Sequence, residues 1–221
     1  VDKLTDKIRQ NLAISKHEDD QLALDAGVKT TQSLDAYDKY LEGISYINNL
    51  DYEQANVKFQ EAISIDSTFF DAYYLSAIAK WWLNEGSQEL NIKIADDLKK
   101  LIDNEIFIDD KQKLKVLGVF NLIRKNYNLA QPIYEQLVEM DPDDKISWYV
   151  LGETYFHRDK KGKVEVKKYY WAKAEAAFKK ALELDPEFKV AEIHIFHLML
   201  AANQYKDIIE RAKKKLNNES Y

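Results

Sequence analysis

Two glycines 34 residues apart, Gly118 and Gly152, each stand ahead of a series of alanines, an aromatic ring and a proline. The first series is Ala130, Tyr134 and Pro142, and the second is Ala174, Phe178, Ala181 and Pro186. A repeat of this length is the mark of helix pairs stacked one on the next, because no single pair can bury its apolar face alone. It points to a surface that holds another polypeptide rather than to a pocket that does chemistry.

The clearest copy is Trp148, Leu151, Gly152 and Tyr155 followed by Ala174, Phe178, Ala181 and Pro186. Small residues at Gly152 and Ala174 let two helices cross closely, while Trp148, Tyr155 and Phe178 fill the space on either side. Proline after Asp185 ends the second helix, since it has no amide proton and restricts the residue before it. These residues resemble the tetratricopeptide signature. The resemblance implies an all-α fold, a right-handed superhelix of about five antiparallel helix pairs.

Further copies lie in the same register. Gly43, Tyr46, Ala55, Phe59 and Ala62 form one, closed by Asp66-Ser67 instead of Asp-Pro, and Leu117, Gly118, Ala130, Tyr134, Leu137 and Pro142 form another. Tyr73, Ala77 and Ala95 mark a weaker copy, and Ala191, Ile195 and Tyr205 a last one. The expected repeat units are 36–69, 70–110, 111–144, 145–188 and 189–217, together an array over 36–217. The second start-to-start gap is 7 residues longer than the period and the fourth 10 longer. These excesses place one insertion near Asn84-Glu85-Gly86-Ser87 and another at Arg158 to Lys168, the latter expected as a solvated loop or a helical extension.

The first 35 residues differ. Leu4, Ile8, Leu12 and Ile14 make a helical stripe, interrupted at Glu18-Asp19-Asp20, and Ser33 is placed to cap the first repeat helix. An isolated amphipathic helix of this size is marginal in water, so residues 1–35 are expected to dock as a capping segment. The strings Asp6 to Leu12 and Thr30 to Gly43 resemble the junction of bacterial multidomain proteins in which a tetratricopeptide array follows a TolB- or FlgO-like domain, sometimes behind a kinase, cyclase or DNA-binding domain. That resemblance implies a scaffolding or regulatory module of a signalling or envelope-associated protein, in the cytoplasm or periplasm.

Composition sets the exclusions. With 38 acidic and 32 basic side chains the net charge is −6, which disfavours sequence-independent nucleic-acid binding. Lys160-Lys161, Lys167-Lys168 and Lys213-Lys214-Lys215 read as solvated faces. No run of about 18 apolar residues is present, so direct membrane insertion is not expected. The absence of cysteine rules out catalytic thiols, disulfides and thiolate-bound zinc.

In repeats of this type the concave wall comes from the second, fifth, ninth, twelfth and thirteenth positions of each first helix. Carried onto this chain, the resemblance gives Tyr37, Tyr40, Ile44, Ile47 and Asn48, then Asp71, Tyr74, Ile78, Trp81 and Trp82. Gln112, Lys115, Val119, Leu122 and Ile123 follow, and then Ile146, Tyr149, Glu153, Phe156 and His157. Lys115 is the one basic residue of this wall, so the Lys, Arg and Asn cluster that clamps a terminal carboxylate is missing. An aromatic wall favours an apolar or amphipathic protein segment, either external or the chain's own N-terminal helix, which would make the array a spacer with no external ligand. His194 and His197 share a helical face and His157 stands four residues after Glu153, which leaves a weak metal or acid/base site as the catalytic reading. Nothing in these patterns calls for a cofactor or a bound metal, and the chain reads as a non-enzymatic binding module.

Overall fold

The computed structural model describes residues 31–83, 87–103, 109–158 and 164–218. The capping segment up to residue 30, the Asp19-Asp20 pair and the insertion loops at 84–86 and 159–163 lie outside the described residues. Among those described, all regular structure is helical. The helices are α1 (Leu34–Asn48), α2 (Tyr52–Ile65), α3 (Phe70–Leu83), α4 (Gln88–Asp103) and α5 (Asp110–Ile123). They continue with α6 (Tyr127–Met140), α7 (Lys145–His157), α8 (Val164–Leu184), α9 (Lys189–Ala201) and α10 (Tyr205–Asn218). The described residues are thus all-α, ten helices in five sequential pairs. It divides into two compact units, one holding α1 to α3 and the other α4 to α10.

Helix starts follow from capping chemistry. The Ser33 hydroxyl accepts a hydrogen bond from the Ala36 amide at 3.2 Å, Asp109 accepts from the Gln112 amide at 2.8 Å, and Asp144 accepts from the Ile146 and Ser147 amides at 3.0 and 3.2 Å. Each carboxylate or hydroxyl satisfies an amide that has no partner inside the helix, and the carboxylates also meet the positive end of the helix dipole.

The turns inside the first, third and fifth pairs repeat one geometry. Leu50, Lys125 and Asn203 have φ of 64°, 61° and 59°, and each is followed two residues later by a tyrosine, Tyr52, Tyr127 or Tyr205. After α5 the Lys125 amide donates to the Leu122 carbonyl at 2.8 Å and the Asn126 amide to the Asn121 carbonyl at 2.8 Å. After α9 the Asn203 and Gln204 amides donate to Leu200 and Met199 at 3.0 and 2.9 Å. This is the left-handed helix stop that satisfies the last carbonyls of the first helix, here without glycine. The insertions fall in the second and fourth pairs. Of the Arg158 to Lys168 stretch, residues 164–168 form the start of α8, so the described part of that insertion is a helical extension.

Within a pair the helices are held by a notch. A methyl group at Gly43 would lie 2.4 Å from the ring of Phe59, one at Gly118 2.7 Å from Tyr134, and one at Gly152 2.5 Å from Phe178. These distances are far below van der Waals contact, so each ring occupies the space that the glycine leaves open. Phe59, Tyr134 and Phe178 are fully buried, as are the alanines that flank them, Ala55, Ala130 and Ala174.

The joints between pairs use aspartate. The carboxylates of Asp66, Asp141 and Asp185 accept from amides two residues on, at Thr68, Asp143 and Glu187 (2.9, 3.3 and 3.0 Å). They fold the chain into the next helix as Asx turns do. Lys111 closes onto Asp141 and Lys145 onto Asp185, whereas Thr31 serves Asp66.

Gly152→Ala is expected to destabilise the chain by about 1–3 kcal/mol, the usual cost of forcing an extra carbon into a packed core. Urea unfolding followed by circular dichroism measures it, and an exposed substitution such as Glu165→Ala should leave the midpoint unmoved.

Candidate functional site

The residues expected to line a wall lie on the first helices, and the structure leaves some partly open and encloses others. In the first unit Tyr37 stacks on Tyr40 (6.0 Å between ring centres, 24° between planes). Tyr40 leans on Phe59 at 5.8 Å and on Phe69 at 5.0 Å, and both tyrosines stay half-buried. Ile44 and Asn48 are also half-buried. On α3, Tyr74, Ile78 and Trp81 are enclosed in the core, while Trp82 is half-buried and tilted against Tyr52 at 5.0 Å. Of the apolar wall positions on α3 only Trp82 stays partly open, because this helix is apolar almost all round and its neighbours cover nearly every side.

In the second unit Val119, Tyr149, Glu153 and His157 are buried, Phe156 is half-buried, and Lys115 is taken up within the chain. Its ammonium lies 2.8 Å from the carboxylate of Asp144, both side chains being nearly enclosed. This pair stands where other repeats place two rings. The fifth wall position is Tyr40 on α1 and Tyr149 on α7, and each meets the phenylalanine three residues after the joint aspartate, Phe69 at 5.0 Å and Phe188 at 5.4 Å. On α5 that position is Lys115, and three residues after Asp141 comes Asp144. An ion pair thus replaces a ring pair. Burial alone would raise the Asp144 pKa, but the charge and hydrogen bond of Lys115, with the Ser147 amide and hydroxyl, hold it below the ordinary carboxylate value.

Glu153 forms the second buried charge cluster. It is 1 % exposed and receives His157 from the next turn of α7 at 3.2 Å, as the four-residue spacing suggested. It also receives His194 of α9 at 2.7 Å, a contact that the sequence spacing did not reveal. The other ring nitrogen of His194 faces the Val190 carbonyl at 3.0 Å. The same nitrogen also lies 3.5 Å from the Tyr149 hydroxyl. Burial pushes the Glu153 pKa up, but the His194 charge and the two histidine hydrogen bonds outweigh it and bring the pKa down to about 2. Phe156 lies edge-on to both histidines, at 5.1 and 5.7 Å, and Tyr127 stacks on His157 at 5.8 Å.

This cluster is a structural ion pair closed off by rings, without room for a substrate beside the carboxylate. His197 lies 5.5 Å ring to ring from His194. Among the described residues no group of three or more histidine, aspartate and glutamate side chains is arranged to hold a metal ion. Asp109 is the cap of α5.

Two outcomes follow. His194→Leu should destabilise the chain by about 3 kcal/mol at pH 7, because it removes one of the two histidines on a buried carboxylate and leaves His157 alone with it. Since Glu153 titrates near 4.5 when unfolded and about 2 when folded, its stabilisation is complete above 4.5 and fades as pH falls toward 2. Urea midpoints at pH 7 and pH 3 should show the difference between wild type and variant shrinking at the lower pH. Lys115→Met alone should likewise cost about 3 kcal/mol, whereas Lys115→Tyr with Asp144→Phe should cost only about 1 kcal/mol, the value of the lost α7 cap. A double-mutant cycle from thermal unfolding measures the coupling.

No family model matches the chain, and no curated protein matches it. Among solved structures it is similar to MamA 41-end from Desulfovibrio magneticus RS-1, with 20% identity and a TM-score of 0.45 over 86% of this chain and 97% of that one. It is also similar to the MamA RS-1 ArsTM double mutant, with 20% identity, a TM-score of 0.44 and the same coverage.

Proposed function

We propose that this chain is a non-catalytic helical-repeat module that holds an apolar or amphipathic polypeptide segment against the first helices of its pairs. The observation that carries this reading is the aromatic ledge of α1. Tyr40 is fixed from below by Phe59 and Phe69 and Tyr37 stacks on Tyr40, yet both keep part of their surface open. Rings held in place and half-exposed lose little conformational entropy on binding and offer a large apolar face with a polar tip, as interface anchors do. In the second unit Phe156 has the same character, and in the first Trp82 adds another. No described helix is long and apolar enough to cross a membrane.

Residues 36–217 act in this reading as one repeat array, with 1–35 as its cap. A place beside a TolB- or FlgO-like domain, with cytoplasm or periplasm as the compartment, rests on the junction-like strings Asp6 to Leu12 and Thr30 to Gly43 alone. A second reading, that the array is a spacer with no external ligand in its groove, is favoured by the enclosure of Tyr74, Ile78, Val119 and Tyr149.

The two readings separate by mutation. If the ledge binds, Tyr37→Ala and Phe156→Ala should abolish capture of a partner from a lysate while shifting the melting temperature little. Tyr74→Ala and Tyr149→Ala should instead cost about 3–5 kcal/mol of stability as core truncations. Capture unchanged by Tyr37→Ala and Phe156→Ala would leave the spacer.

A further inference from the structure

The turn between α5 and α6 borders two clefts that share Lys125. One, of about 340 Å³, lies between Lys125, Arg124, Ile123 and the residues Asn91 and Ile92 of α4. The other, of about 780 Å³, is lined by Lys125 together with the start of α6, Arg158 after α7, and Val166 and Tyr170 of the α8 extension. Both volumes fall in the range of ligand sites, roughly 300–1,000 Å³.

Three properties of this seam select a ligand. It is basic: Arg124, Lys125 and Arg158 line it and, among the described residues, no carboxylate does, in a chain whose net charge is −6. The two guanidinium groups are pre-positioned, Arg124 over the ring of Phe120 at 5.4 Å and Arg158 over Tyr170 at 4.8 Å. Arg158 also donates from one nitrogen to the Gln131 side chain, and the remaining donors of both planes are available to carboxylates. The seam is also aliphatic, since Ile92 and Leu129 are 50% and 58% exposed.

Lastly, it offers hydrogen-bond acceptors. Asn91 is only 7 % exposed, and its Oδ1 is buried without a hydrogen-bond partner among the described residues. A buried amide oxygen left so is unfavourable, and a donor from a ligand recovers that loss. Pro132 lies inside α6 and has no N–H, so the carbonyl of Asn128 at the cleft receives no helical hydrogen bond from it.

We infer that this seam binds an extended acidic peptide segment of a partner protein, one that carries aliphatic side chains among its carboxylates. Its carboxylates pair with Arg124, Lys125 and Arg158, its aliphatic groups cover Ile92 and Leu129, and its backbone amides donate to Asn91 Oδ1 and the Asn128 carbonyl. A phosphate polymer meets the cations equally well but has no donors for these acceptors and no aliphatic groups for the exposed side chains. The surface lies at the loop edge of the second unit and is independent of the α1 ledge.

Phage display of random peptides about 12 residues long, about 40 Å when extended, against the full chain tests this. Enriched peptides should carry several Asp or Glu interspersed with Leu, Ile or Val. By fluorescence anisotropy, a synthetic enriched peptide should bind Lys125→Glu at least about tenfold more weakly. It should lose affinity as salt is raised and bind Tyr37→Ala unchanged. Asn91→Leu should also weaken it, with the circular dichroism melt showing that this variant folds. The inference is overturned by no enrichment, by enrichment of basic or non-acidic peptides, or by binding that Lys125→Glu leaves intact. It is equally overturned if sedimentation shows a dimer of this chain that Lys125→Glu dissolves while no peptide is enriched.

Discussion

The architecture depends on the absence of a side chain at three places. Gly43, Gly118 and Gly152 each leave a notch in a first helix, and a ring from the second helix, Phe59, Tyr134 or Phe178, fills it. Close helix approach and a large apolar payload are thus obtained from one pairing, since the same ring both closes the pair and is itself removed from water. The alanines at 55, 130 and 174, one turn before each ring, are fully buried with it, and the remaining faces of the first helix are left to meet the next pair. The burial of Tyr149 between Phe178, Phe188 and His194 is a consequence of that stacking.

The joints then decide where those faces point. An aspartate turn ends each of three pairs, tied by Lys111, Lys145 or Thr31, and three residues later a side chain enters the core. Where that side chain is Phe69 or Phe188 it meets a tyrosine; where it is Asp144 it meets Lys115. The ion-paired joint meets the same packing requirement by different chemistry. It carries a larger penalty for loss of one partner, because a charge in a low-dielectric surrounding has no second choice. Glu153 with His157 and His194 is the second such commitment, also in the second unit.

The fold was legible because its signals are local or periodic. Glycine and aromatic spacing, Asp-Pro stops and capping residues such as Ser33 and Asp109 are read within one helix or one turn, and they give the all-α pairs. The candidate wall was legible only as a set of helix positions. Carrying positions over from the tetratricopeptide pattern gives the face of each helix but not how far the next pair covers it. Tyr37, Tyr40, Trp82 and Phe156 stayed half-open, while Tyr74, Ile78, Val119 and Tyr149 were enclosed. Lys115, read as the one basic residue of the wall, is held by a residue 29 positions on, and no spacing rule announces such a contact.

The sequence by itself determined that this chain is built of paired helices, because propensity, periodicity, caps and helix stops act over a few residues and all agree here. It also determined which partners of the same helix meet, as with Glu153 and His157. Only the tertiary structure decided which aromatic residues remain accessible, that Lys115 belongs to Asp144 and His194 to Glu153, and that basic and aliphatic side chains from α4, α5, α6 and α8 converge around Lys125. The reason is that burial and charge pairing depend on distances between residues far apart in the chain, and those distances are set by how the pairs stack.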